Sequence, residues 1–386
     1  MANRIPLDSL CQPKVVTLPN DFDDVIDYID ISSVDNESKT IITHQEVDAK
    51  EAPSRARQLL QVGDVIVSTV RPNLNAVALV ESAYENTLVG STGYCVLRVK
   101  DGVDNRFIFY FCQSPYFVED MTTQATGASY PAVTASIVRK STLPAYTLEE
   151  QHEIAQHLDT VSTLISLRKQ QIAKLDELVK ARFVEMFGTI HNNHYGYDER
   201  CLQDVCEQIK DGTHQTPEYT EDKLAGYKFL SSKDVTSGKI DWNHLKYIPE
   251  WLHQELYTRI APRKGDILLA KNGTTGIAAV VDRDEVFDIY VSLALLRPIE
   301  INSIYLWAAI NSAETKQQFD ASLKGIGVPN LHLGEIKKAR ILVPPKTLQE
   351  QFAAFVAQTD KQELTIQQSL DKLELMKKVL MQKYFG

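Results

Sequence analysis

Two polar loops in the second half of the chain hold the densest set of groups suited to gripping a nucleic acid. Asp211-Gly-Thr-His-Gln-Thr-Pro217 packs donors and acceptors into one turn. Thr213, His214 and Thr216 are short side chains that reach phosphates or base edges with little loss of rotamer freedom. Lys271-Asn272-Gly273-Thr274-Thr275-Gly276 sets a cation and an amide on pliant backbone at the end of an apolar run. The first half has counterparts in Pro53-Ser-Arg-Ala-Arg57 and Thr69-Val-Arg-Pro-Asn73, which supply Arg55, Arg57, Thr69, Arg71 and Asn73. Arginine reads guanine bidentately in the major groove, and asparagine reads adenine. Lys271, Asn272 and Thr274 complete the first set of candidates. Tyr130, Lys324 and Asn330, in loops that follow the same Gly…Pro pattern (Gly127 to Pro131, Gly325 to Pro329), form a second tier. The competing reading is ordinary loop hydrogen bonding, with the arginines paired to nearby acids.

Tools for bond-making chemistry are missing. The sequence has no GxxxxGK[ST] phosphate loop, no GxGxxG fingerprint and no HExxH. It also lacks the strand-ending Asn-Pro-Pro-aromatic loop of amino methyltransferases, since Val343-Pro-Pro-Lys346 has neither end of it. Pro217-Glu-Tyr-Thr-Glu-Asp-Lys223 superficially resembles a nuclease carboxylate-lysine set, but its spacing is too short to cross between strands, so a charged loop is expected. The five cysteines form no CxxC pair and the nine histidines no ligand cluster, so no metal site and no catalytic residue are assigned. Reduced thiols are expected.

The elements that must position these loops are repeated. LPAYTLEEQ at 143–151 returns as VPPKTLQEQ at 343–351, about 200 residues later, and each is followed by a long helical pattern closing on Phe-Gly, at Phe187-Gly188 and Phe385-Gly386. Thr147 with Glu150, and Thr347 with Glu350, stand at capping-box spacing. Apolar residues recur at 4-3 spacing along the first helix (Ile154, Leu158, Val161, Ile165, Ile172, Leu175, Val179) and, with more polar interruptions, along the second (Ile366, Leu370, Leu373, Leu380). Each helix is expected to run about 36 residues, roughly 50 Å. The pattern favours packing of the two on each other as a coiled coil over packing on their own domains. Ahead of each helix comes a matching α/β segment. Val65–Val70 after Gly63-Asp64 corresponds to Ile267–Ala270 after Gly265-Asp266, and Tyr94–Arg98 to Leu293–Arg297. Expected boundaries are a first domain at 1–143, a helix segment at 144–188, a second domain at 189–343 and a second helix segment at 344–386.

A chain of 386 residues exceeds one ordinary core. A net charge of -10 argues against coating nucleic acid by bulk charge, but not against local basic strips. The acidic run Asp21, Asp23, Asp24, Asp27 and Asp30 reads as a solvated face. Neither a membrane-length apolar run nor a secretory leader is apparent, so a cytoplasmic protein without membrane contact is expected.

EAPSRARQLLQVGDVIVSTVRPNL (51–74), DGTHQTP (211–217), KGDILLAKNGTTG (264–276) and the TLEEQ and TLQEQ motifs with their Phe-Gly ends, taken in this order, resemble the specificity subunits of type I restriction-modification systems over essentially the whole chain. That resemblance implies an α/β (α+β) fold of two mixed target recognition domains. The two long helices would form an antiparallel coiled coil with pseudo-two-fold symmetry that sets the distance between two halves of a split, asymmetric DNA target. It further implies double-stranded DNA, two methyltransferase subunits and restriction subunits as partners. No cofactor would bind this chain itself, while the complex uses S-adenosylmethionine, and ATP with Mg in its restriction form. Base-contacting residues transfer only as the loop candidates above. Two other readings remain at this point: a stand-alone DNA methyltransferase or nuclease with two recognition domains, and a coiled-coil scaffold that does not bind DNA.

Overall fold

The computed structural model describes residues 3–323 and 329–386. The chain divides into two compact units, residues 1–171 with 366–386, and residues 172–365. Both are mixed α/β and follow one plan.

In the first unit a three-stranded antiparallel sheet (order Tyr94–Leu97, Val65–Ser68, Val77–Leu79) lies at the core. A four-stranded sheet (Gln45–Asp48, Val25–Ile29, Thr87–Ser91, Ala56–Leu59) contains one parallel pairing, between Val25–Ile29 and Thr87–Ser91. Short helices Asn105–Phe111, Pro115–Gln124 and Ala135–Lys140 follow, then a strand, Thr142–Pro144, paired with Arg4–Pro6. The second unit repeats this with a four-stranded sheet (Cys206–Asp211, Leu293–Pro298, Ile267–Ala270, Ala278–Val280) and a three-stranded one (Lys246–Ile248, Tyr227–Leu230, Phe287–Ile289), the last pair again parallel. Helices Ser303–Ile310, Ala313–Ser322 and Leu333–Lys338 and the strand pair Asp198–Cys201 with Arg340–Val343 complete it.

The turn dipeptides are built alike. Gly63 (φ 94°) and Gly265 (φ 90°) take the left-handed conformation that only glycine adopts cheaply. Each presents the following aspartate to the sheet. Asp64 grips Arg98 through two hydrogen bonds of 2.8 and 2.7 Å, and Asp266 grips Arg297 at 2.9 and 2.8 Å. Both aspartates are buried, and a fork of this kind fixes geometry as well as neutralising charge.

Each long helix has 40 residues, Leu148–Phe187 and Lys346–Phe385, longer than the pattern suggested. The first keeps its expected cap: Thr147 N donates to Glu150 Oε2 (2.8 Å) and Glu150 N to Thr147 Oγ1 (3.3 Å). The second does not form the expected box. It begins at Lys346, so Thr347 and Glu350 lie inside the helix, and the Pro345 carbonyl accepts from Leu348 N and Gln349 N instead. The two helices correspond end to end at an offset of 198 residues, two fewer than the TLEEQ and TLQEQ motifs suggest. Side-chain roles follow the structural offset. Gln151 Oε1 accepts from Asp104 N and its Nε2 donates to the Tyr146 carbonyl, while Gln349 does the same with Asn302 N and the Pro344 carbonyl.

In the first unit the start of one long helix packs beside the end of the other, and in the second unit the arrangement recurs with the helices exchanged. Ile154, Leu158 and Phe385 share a core with Phe107 and Phe111; Phe352, Val356 and Phe187 share one with Tyr305. Ring centroids lie 5.4 Å apart for Phe107–Phe385 and 4.8 Å for Phe187–Tyr305. The Phe of each Phe-Gly end is therefore a core plug as well as the last helical residue. Gly188 (φ 69°) then turns the chain out of the first helix. The 4-3 positions are the sheltered ones. Val161 and Leu370 are buried, whereas Ile165, Ile172, Leu175, Val179, Ile366, Leu373 and Leu380 are half-buried.

The acidic run at 21–30 is not wholly a solvated face. Asp27 is buried, and its carboxylate accepts from Asn86 N (2.9 Å) and Asn86 Nδ2 (3.2 Å).

Candidate nucleic-acid interface

Each unit has two loops tied edge to edge by backbone hydrogen bonds, and the ties match between units. In the first unit Thr69 N donates to the Gly93 carbonyl (2.9 Å), Val133 N to the Thr69 carbonyl (2.9 Å) and Arg71 N to the Pro131 carbonyl (2.7 Å). In the second, Lys271 N donates to the Ser292 carbonyl (2.9 Å), Leu331 N to the Lys271 carbonyl (2.8 Å) and Gly273 N to the Pro329 carbonyl (3.3 Å). The loops read separately from sequence, 69–73 with Tyr130 and 271–274 with Asn330, are thus one paired platform per unit. Lys324 lies outside the described residues.

Within this platform the named residues divide by exposure. Arg55, Arg71, Asn73, Tyr130, His214, Thr216 and Thr274 are exposed. Arg71 lies 4.6 Å from the Tyr130 ring centroid, a cation–π contact that orders the guanidinium at an exposed site. Its backbone is left-handed (φ 50°), and the matching position in the second unit is Gly273 (φ 77°). An arginine held where glycine suffices stores roughly 1 kcal/mol of strain. Arg57 is half-buried and bonded to Asn20. Asn272 and Asn330 face each other across an isolated bridge, and the buried Oδ1 atoms of both lack a hydrogen-bond donor among the described residues.

Three named residues are buried and serve the loops themselves. Thr69 Oγ1 donates to the Gly93 carbonyl (2.9 Å), and Thr213 Oγ1 accepts from Gln215 N (3.2 Å). Lys271, 6% exposed, places its ammonium 3.0 Å from Asp211 Oδ2. Asp211 also meets His214 Nε2 at 3.1 Å and Arg259 Nη2 at 3.2 Å. Burial alone would raise the Asp211 carboxyl, but Lys271 and then His214 outweigh it and hold it below the usual carboxylate range. The sequence motif DGTHQTP reads as a row of donors, yet its aspartate is the hub that fixes the row. Arg259, from helix Glu250–Arg259, gave no sequence signal because it reaches Asp211 from 48 residues away.

A second buried carboxylate sits in the smaller sheet of this unit. Burial pushes Asp288 up to about 6, against the pull of His253 Nδ1 at 2.7 Å, and the imidazole stacks on Tyr227 at 3.7 Å.

Two copies of one platform, each presenting polar groups on a rigid sheet, define a repeated binding protein. Comparison with known proteins specifies the class. Residues 19–177 and 195–375 match the family model of the type I restriction modification DNA specificity domain, and the chain belongs to that family. It is similar to the MjaVIII specificity subunit of Methanocaldococcus jannaschii, with 24% identity over 298 residues that cover 72% of this chain and 69% of that one. The EcoBI specificity subunit of Escherichia coli is 21% identical over 285 residues, 67% of this chain and 59% of its own. The fold is shared with a type I S subunit from M. genitalium (TM-score 0.58, 16% identity, 100% and 96% of the two chains). It is also shared with a chain solved in a study of type I R-M assembly and conformational transition (TM-score 0.60, 23% identity, 99% and 97%). The chain is a DNA specificity subunit with two recognition domains, the component of such a system that reads sequence and does not catalyse.

Proposed function

We propose that the exposed residues Arg55, Arg71, Asn73 and Tyr130 in the first unit and His214, Thr216 and Thr274 in the second, with the half-buried Asn272 and Asn330, meet the two halves of a split double-stranded DNA target. Thr69, Thr213 and Lys271 act behind them by holding the loops, and Arg57 braces the first loop through Asn20. The long helices set the distance between the halves. Two methyltransferase subunits that use S-adenosylmethionine, and restriction subunits that use ATP with Mg, assemble on this scaffold in the cytoplasm, where they supply the chemistry this chain lacks. Base methylation in a duplex requires the base to be flipped out, a task separable from reading the flanks.

The observation that carries the DNA-facing assignment is Arg71. A strained backbone persists there although the repeat offers glycine, and the guanidinium stands stacked and exposed on Tyr130. Replacing Arg71 by glycine is expected to leave stability unchanged or raise it by about 1 kcal/mol, while weakening specific DNA binding by the assembled methyltransferase by about 1–3 kcal/mol. Opposite signs in urea denaturation and in filter binding support the assignment. Lower stability with unchanged DNA affinity would make Arg71 structural.

A further inference from the structure

The repeat provides an internal control for a groove in the first unit. This groove, about 640 Å³, opens between the turn at 35–41 and the two long helices. The matching positions in the second unit are occupied differently. There Trp307, at the position of Phe109, donates Nε1 to the Ala278 (3.0 Å) and Gly238 (3.2 Å) carbonyls. The loop lysine of that unit, Lys239, meets Glu363 at 2.5 Å and Asp360 at 3.5 Å. Burial would lower this ammonium, but Glu363 and Asp360 overcome it and hold it above the usual lysine range.

The first unit has the lysine without the acids. Lys39 follows the same capped 3-10 turn (Ile31–Ser33, against Ser232–Val235), and its ammonium donates to the Asn75 carbonyl (2.5 Å) and Asn75 Oδ1 (3.0 Å), both neutral. At the 198-residue offset, Asp360 and Glu363 become Ser162 and Ile165, and Val179 becomes Lys377. Lys377 lies over the Tyr110 ring at 5.7 Å, and the buried Ser162 Oγ, beside Tyr110, has no partner of hydrogen-bond geometry among the described residues. Lys169, which also lines the groove, is already paired with Glu37 and Glu374, and Arg106 with Glu81 and Asp159. Lys39 and Lys377 form no ion pair among the described residues; Asp35 favours the charged form of the first and Asp159 that of the second, but neither outweighs burial. Burial, then Lys377, brings Lys39 down to about 8, and burial, then Lys169, lowers Lys377. Two desolvated ammonium groups that repel one another are a standing cost unless an anion joins them.

We propose that this groove of the first unit is a binding site for a phosphoryl dianion, held by Lys39, Lys377 and the Ser162 hydroxyl, either as free phosphate or on a mononucleotide, for which the volume is sufficient. Calorimetric titration of the full chain with inorganic phosphate, AMP and adenosine tests it. Saturable one-to-one binding of phosphate or AMP is expected, with AMP tighter if the nucleoside also contacts the groove. Lys377→Met and Lys39→Met, which keep the apolar stem, should each weaken it by about ten-fold or more. Unfolding midpoints of both variants without ligand, at or above that of the parent chain, establish that they fold. Absent phosphate and AMP binding, binding that survives both substitutions, or adenosine binding as tightly as AMP would overturn the site.

Discussion

Lys271 shows how a side chain chosen for its charge turns out to serve its neighbours. Its ammonium is buried against Asp211, so removing it leaves a buried carboxylate with only the partly exposed His214 and Arg259 as partners. Lys271→Met is expected to cost about 3 kcal/mol in urea unfolding, toward the lower end for breaking a buried pair because two partners remain. The pH dependence has a definite sign. In the parent chain Asp211 titrates below its ordinary 3.8, so its stabilising contribution is present above that pH and fades as pH falls through the lower folded value. Without Lys271, burial raises the carboxyl instead, and the variant gains relative stability as it protonates. The gap between the two proteins should therefore begin to narrow above 3.8, as the variant's carboxyl protonates, and go on narrowing below 3.8 as the parent's does. A gap that is constant with pH would remove Asp211 from the explanation. Thr274, exposed on the same loop, should change stability by less than about 0.5 kcal/mol when replaced by alanine.

At the level of elements, the long helices were the most legible part of the chain. A 4-3 apolar spacing needs only local sequence, and its positions are the sheltered ones in the fold. The second helix start was not legible. Thr347 and Glu350 have the right types and spacing for a cap, but the Pro345 carbonyl is already placed to receive the first amides, so the helix begins earlier. The same holds for Asp211 with Lys271 and for Lys39 with Lys377. Each pair is assembled from distant segments, and no window of sequence reports it. The Phe-Gly ends were visible as stops, while the role of Phe187 and Phe385 as plugs depends on the partner helix. Phe385→Ala should destabilise the chain by about 3–5 kcal/mol, the cost of emptying a packed aromatic site, measured by thermal or denaturant unfolding. Val379, exposed on the same helix, should tolerate alanine within about 0.5 kcal/mol. Adding one helical turn between Leu158 and Leu175, with a matching turn in the other helix, should alter the spacing between half-sites and leave the bases of each half unchanged.

At the scale of the whole molecule the chain is one reading unit written twice, and its two platforms carry different residues. Arginine, asparagine and tyrosine (Arg55, Arg71, Asn73, Tyr130) face outward in the first, and histidine and threonine (His214, Thr216, Thr274) in the second. On the proposed reading, the target has two unlike halves. A second contact on the same scaffold gains effective concentration only when the spacing suits, so spacing enters specificity alongside the bases. The most direct test is methylome sequencing of a host carrying the methyltransferase subunit with either this chain or one whose residues 1–143 are exchanged for those of another family member. The expected outcome is a bipartite motif in both cases, with one half replaced and the other half and the spacing retained. An undivided motif, or a change in both halves, would contradict two independent readers on one spacer.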